Sequence, residues 1–373
     1  MNERTAIVSH GHRDAHRQRS RRSFLRTSLA ASLATLGAGS ALAELSLTDG
    51  AARLVATGSP RRMVVIDTDP GQDDAIAILF AIGAADQLDL KAITTVAGNV
   101  PLALTERNAR IVRDWAGKTS TLPVYAGCPK PLMRALVTAA NVHGRSGLDG
   151  VRLHEPRGPL ETQHAVTYLI NTLRTAAPGS VTLVGIGPLT NLATALTAAP
   201  EGAQALREIV IMGGAWYQRG NITPSAEFNV YVDPEAASIV FGAGVPMTVV
   251  PRDVSVKAPI TPARIAAFRA LTNRCGPIVA DIMSAQVAFQ KRRTGVESAP
   301  MYDPCTIAYL VDPTMFGGRR VNVAVETSAQ LTLGETVVDW NDRSRRPTNA
   351  MWLTDVDADR FYDTLLARIA RLP

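Results

Sequence analysis

The chain has 373 residues, 46% hydrophobic and 19% charged, an ordinary globular composition with enough length for one large core or two modest ones. Its formal charge of +6 is mostly local: seven of the 39 basic residues fall in residues 1–43 against two acids, Glu3 and Asp14, which leaves 32 basic and 31 acidic residues beyond. A body so nearly balanced, with no basic patch, argues against nucleic acid or an anionic membrane surface as a partner.

Residues 17–43 read RQRSRRSFLRTSLAASLATLGAGSALA, with paired Arg21 and Arg22, then Phe24 and Leu25, an Ala/Leu-rich run and small residues Ala41 and Ala43. This resembles a bacterial twin-arginine export signal with an A-x-A-type cleavage site. The resemblance implies removal of residues 1–43, a mature chain from about Glu44, passage through the export machinery and a periplasmic or secreted destination. The run from Thr27 to Ala43 is short and rich in small residues for a lasting span, so no stable membrane insertion is expected after cleavage. Residues 44–60 read as a polar linker and 61–373 as a single domain. Cys128, Cys275 and Cys305 are odd in number, form no C-x-x-C pair and read as buried small hydrophobes.

Beyond the linker, strand-like runs MVVI (63–66), KAITTV (91–96), VTLVGI (181–186), EIVIM (208–212) and PMTVVP (246–251) alternate with helix-like segments. Residues 73–83 end at a glycine and 190–199 before a proline, as helices do. The alternation predicts an α/β fold, a mostly parallel open sheet flanked by helices. Most of these runs lead into small or polar groups (AGN at 97, GPLTN at 187, MGGAW at 212, RDV at 252), and open α/β sheets bind ligands at such carboxyl ends. Residues 257–301 look largely helical and carry KRR at 291–293, while 319–340 alternates like a β-hairpin.

The most unusual stretch is MVVIDTDPGQDDAIAILF at 63–80, which crowds Asp67, Asp69, Asp73 and Asp74 between two apolar runs. Asp73 and Asp74 alone read as ordinary helix-start acids. All four together would repel one another at neutral pH unless screened, and a hard cation that takes six to eight oxygens resolves the crowding. Ca²⁺ tolerates irregular oxygen geometry better than Mg²⁺.

DTDPGQDD after an apolar strand resembles the N-terminal signature of the inosine-uridine-preferring nucleoside hydrolases. Further matches are ITTVAGN (93–99), HGRSGLDG (143–150), GIGPLTNLA (185–193), MGGAW (212–216), GNITPSAEFNVYVDPEAA (220–237) and YDPCTIAYL (302–310), over roughly residues 63–365. The resemblance implies a Ca²⁺-dependent N-ribohydrolase that cleaves a ribonucleoside to free base and ribose, and a homo-oligomer. It implies metal ligation by the carboxylates of Asp69, Asp74 and Asp303 and the backbone carbonyl of Ile186. It also implies that Asp69 takes a proton from the attacking water, and that Asp73, Asn99, Asn221, Glu227 and Asn229 grip the ribose.

Where many members carry His-Asp, this chain has Tyr302-Asp303. Tyr302 either donates a proton to or stacks on the departing base, or merely fills the space; its unperturbed pKa of about 10 makes it a poorer acid than histidine. Residues 289–300, FQKRRTGVESAP, lack the tyrosine that base-selective members place there, which leaves Arg292, Arg293 and Trp216 as alternative base contacts. Trp216 can stack on a base or simply pack. His143 either lines the site or is a structural loop histidine. The rival reading is an exported nucleoside- or ribose-binding protein that kept the cage and lost turnover.

Overall fold

The computed structural model describes residues 61–373, which belong to one compact unit. The export-signal reading, residues 1–43, and the linker, 44–60, lie outside the described residues.

Among the described residues, eleven strands follow one another as β1 (Arg62–Thr68), β2 (Leu88–Thr95), β3 (Val124–Ala126), β4 (Val181–Gly185), β5 (Leu206–Met212), β6 (Met247–Val250), β7 (Pro259–Ile260), β8 (Ala299–Pro300), β9 (Phe316–Val325), β10 (Thr336–Asp339) and β11 (Ala350–Val356). Nine form the central sheet in the order β10-β9-β11-β6-β5-β4-β1-β2-β3, and β7 pairs with β8 in a small ribbon. From β3 to β11 all neighbours are parallel; β9 runs antiparallel to β11, and β10 to β9. The expected mostly parallel sheet flanked by helices is therefore the fold, and the expected hairpin is β9 with β10.

Val64, Val65 and Ile66 of β1 are wholly buried because helices cover both faces of the sheet, which is why this strand reads as a continuous apolar run. One core layer lies under helices Gln72–Gly83, Leu102–Trp115, Cys275–Thr294, Pro304–Val311 and Ala358–Ile369. The other lies under Ala165–Thr175, Thr190–Ala198 and Pro234–Phe241. The stretch 257–301 is helical only over Pro262–Arg269 and Cys275–Thr294, with β7 and β8 at its ends. Strands β3 and β11 have no counterpart in the sequence reading.

Strand order reverses at β1: the chain steps outward to β2 and β3 on one side, then returns to build β4, β5 and β6 on the other. The loops after β1 and β4 part there and open a crevice at the carboxyl ends. The densest acidic stretch leaves β1 at that point.

Candidate active site

The turn after β1 is organised by its own carboxylates. Gly71 caps the helix Gln72–Gly83 without a side chain, and Asp74 does that work: its Oδ2 accepts from the Gly71 amide (2.9 Å) and its Oδ1 from Thr68 Oγ1 (2.5 Å). Asn99, on the loop after β2, ties the turn to the next strand. Its backbone amide donates to Asp69 Oδ2 (2.6 Å) and its Nδ2 to Asp74 Oδ2 (3.0 Å). Asp69 Oδ1 is buried without a partner. Two glycines press against this carboxylate: a Cβ on Gly98 would stand 2.1 Å from Oδ2, and one on Gly187 2.6 Å from Oδ1.

Asp67 sits apart from this group. Its Oδ1 accepts from Thr94 Oγ1 (2.5 Å) and Asn191 Nδ2 (2.8 Å), so it joins β1, β2 and the helix Thr190–Ala198 inside the core. Burial pushes its carboxyl up to about 7.

Asp73, Asp74 and Asp303 bring one oxygen each to within 4.8 Å of one another, all buried. Asp303 arrives from the far end of the chain, at the start of the helix Pro304–Val311. Burial pushes its carboxyl well above 3.8, and the charges of Asp73, Asp74 and Asp69 add to the rise. Burial and then Asp74 do the same to Asp69, and burial raises Asp73 and Asp74 to about 6. Two helix starts face the cluster, but their partial charges do not offset so many carboxylates. A bound cation would favour the ionised forms that the bare site resists. With an unpartnered buried oxygen on Asp69 and three convergent carboxylates beside it, the donor set is all oxygen and fits a hard divalent ion.

The tightest trio contains Asp73 in place of the expected Asp69, although Asp69 lies close enough to act on all three electrostatically. The Ile186 carbonyl, expected to face a metal, accepts Asn229 Nδ2 at 3.1 Å and keeps a second lone pair.

Above the cluster opens a cavity of about 560 Å³, lined by Asp73, Asn99, His143, Ile186, Asn221, Glu227, Asn229, Tyr302 and Asp303 among others. Glu227 caps the helix Phe228–Val232, its Oε2 accepting from the amides of Asn229 (3.0 Å) and Gly214 (3.1 Å), and burial raises it to about 7. Asn229 Nδ2 also bonds Met212 O at the end of β5 (3.1 Å). His143 Nδ1 accepts from the Gln72 amide (3.3 Å) and lies 4.0 Å from Asp73 Oδ1. Burial holds its ring down to about 4, so it is neutral and its proton resides on Nε2.

The expected residues thus converge, apart from Asp67, which serves the core, and Trp216. Trp216 does not line the cavity: its ring stacks on Trp340 with centroids 4.3 Å apart, and its amide donates to Asp253 Oδ2 (2.9 Å). The packing reading of Trp216 replaces the base-stacking one. Arg292 and Arg293 do reach the cavity, joined by Gln286, Phe289 and Gln290 of the same helix. Residues 286, 289, 290 and 293 follow helical i, i+3, i+4, i+7 spacing, a face that the sequence carries but that names no ligand. Gln286 Oε1 is buried and unpartnered. Arg252, which opens the short helix after β6, was also not anticipated.

Comparison with known proteins agrees with this geometry. Residues 64–363 match the family model described as inosine-uridine preferring nucleoside hydrolase. The chain is 47% identical over 310 residues to an uncharacterized protein of Schizosaccharomyces pombe, covering 83% of this chain and 99% of that one. It is 45% identical over 307 residues to the pyrimidine-specific ribonucleoside hydrolase RihA of Salmonella arizonae, covering 82% and 97%. Among solved structures, the plant nucleoside hydrolase PpNRh1 superposes with a TM-score of 0.77 at 31% identity, over 83% of this chain and 99% of that one. With both sequence and fold matched across the whole described domain, the chain belongs to the inosine-uridine preferring nucleoside hydrolase family and is an N-ribohydrolase.

Proposed function

We propose that this enzyme is a Ca²⁺-dependent hydrolase of ribonucleosides, with pyrimidine nucleosides its best substrates, acting by Asp-activated water through an oxocarbenium-like transition state. The observation that carries the reading is the nest of buried carboxylates at the floor of a cavity walled by Asn99, Asn221, Glu227 and Asn229. The 45% identity to a pyrimidine-specific enzyme, and the amides of Gln286 and Gln290 in the outer cavity, support the base preference.

Asp69, Asp74, Asp303 and the Ile186 carbonyl would hold the ion, with Asp73 close enough to share in it. Bound there, Ca²⁺ would neutralise the carboxylates and supply coordination for a water and the ribose hydroxyls. Asp69 is held at one oxygen by Asn99, and its free oxygen takes the proton of that water. Asn221, Glu227 and Asn229 grip the ribose hydroxyls and hold C1′ toward the water. As the glycosidic bond lengthens, the surrounding anions stabilise the positive charge that grows on the sugar.

Residues 17–43 support a further proposal, that the protein is exported to the periplasm or secreted.

The test is ribose release by the chain from about Glu44, with calcium, from uridine, cytidine, inosine, guanosine and adenosine in turn. Release with uridine or cytidine fastest supports the proposal. Binding without release would establish the binding-protein reading, and purines ranked first would overturn the base preference.

A further inference from the structure

Tyr302 is half-buried in the cavity wall beside Asp303, and its hydroxyl oxygen accepts from Nη1 of Arg252. That arginine is anchored from its backbone outward. Its amide donates to Gly214 O (2.9 Å), and its Nε donates to Arg219 O (2.8 Å). The guanidinium therefore reaches the phenol in a preset orientation.

A guanidinium has donors and no lone pair, so the phenol oxygen acts toward it only as an acceptor. With Arg252 donating to that oxygen, the single hydroxyl proton points elsewhere. The open direction is the cavity.

We propose that Arg252 is the positioning residue that makes Tyr302 the proton donor to the departing base. The proposal rests on the N-ribohydrolase reading and adds to it the group that replaces histidine. As the C1′–N bond breaks, its electron pair passes to the base. The Tyr302 proton moves to a ring nitrogen or carbonyl oxygen of that base, and the O–H electron pair stays on the phenol oxygen, where the guanidinium offsets the new charge. The hydroxyl of water bonds to C1′, and the proton it gives up to Asp69 restores the phenol through solvent. The sum is nucleoside plus water to base plus ribose.

The test varies the leaving group. Wild type, Arg252→Gln and Tyr302→Phe are compared on uridine and on p-nitrophenyl β-D-ribofuranoside, whose nitrophenolate departs without a proton. Both variants are expected to lose about 100-fold or more in kcat on uridine, the scale of a general acid, with at least ten-fold less loss on the aryl riboside. The double variant is expected to fall no further than the worse single one. If Arg252→Gln does not fold, Arg252→Lys keeps the stem and a donor, and is expected to show the same imbalance with a smaller uridine loss. Equal losses on the two substrates, or an unaffected uridine rate in the arginine variants, overturn the proposal. A wild type that cleaves inosine but neither of these overturns the pyrimidine preference, and the comparison is then made on inosine; one that cleaves none of the three refutes the hydrolase reading instead.

Discussion

The backbone amide of Asn99 holds Oδ2 of Asp69 at 2.6 Å, while Oδ1 of the same carboxylate is buried with no partner. One oxygen is tethered so that the other is aimed. Asp69→Asn keeps the shape and removes the proposed base. It is expected to lower kcat by at least 100-fold with nucleoside binding retained, measured by steady-state kinetics and calorimetry; wild-type turnover in that variant would sink the assigned role.

The tether has a steric wall behind it. A methyl group on Gly98 would lie 2.1 Å from Asp69 Oδ2 and 2.8 Å from Pro188 Cδ, so Gly98→Ala has to push the carboxylate out of line. Gly98 has no positive φ, so the effect is contact alone. A loss in kcat of ten-fold or more is expected, with a far-ultraviolet spectrum like wild type.

Metal removal is expected to abolish turnover, and calcium to restore it. An ion that binds only the assembled site adds about 2.7 kcal/mol of stability at a hundred-fold excess over Kd. The midpoint of thermal unfolding should rise with calcium concentration; a midpoint indifferent to both chelator and calcium would count against the ion.

Without metal, the folded chain is expected to lose stability as pH rises from about 4, the unfolded carboxyl value, to about 7. Burial raises Asp67 and Glu227 to about 7, and Asp69 and Asp303 well above 3.8. In that window the unfolded carboxyls have already ionised while the folded ones still hold protons. The folded state therefore binds more protons, and stability falls as pH rises. His143, held down to about 4, acts in the opposite sense between that value and its unfolded value of about 6.5, one group against several carboxyls. Thermal midpoints in chelator across the window check this, and a midpoint that rises would contradict it.

Trp340→Ala removes the ring that stacks on Trp216 outside the cavity. The expected cost is about 1–3 kcal/mol of stability, less than for a fully buried aromatic, with the order of base preference unmoved. A changed order would return Trp216 to the base site.

The sequence carries the elements that report on themselves. The apolar run of β1, the helix that follows and the acids between them were legible because burial on both faces and helix-start chemistry are local. Strand order was not, since the central place of β1 depends on β4 returning to its side. Strand β11 escaped notice because AMWLTDV looks like many half-buried segments. Trp216 read equally well as a stacking or a packing residue, and only the position of Trp340 decided between them. The exchange of Asp73 for Asp69 in the tightest carboxylate trio is a matter of ångströms, which spacing along a chain does not encode. Arg252 was visible as a polar strand end, but its partner is fifty positions away in the sequence.

The helices Gln72–Gly83 and Pro304–Val311 pack side by side, and each begins at the carboxylate cluster. The first belongs to the opening βα unit, the second to the late part of the chain. Self-repulsion at their shared end acts as a spring between early and late segments, and an ion there acts as a clasp. In chelator, amide hydrogen exchange around Tyr302–Thr306 should then quicken ahead of global unfolding, so that the same seam that meets substrate is where the empty protein first comes undone.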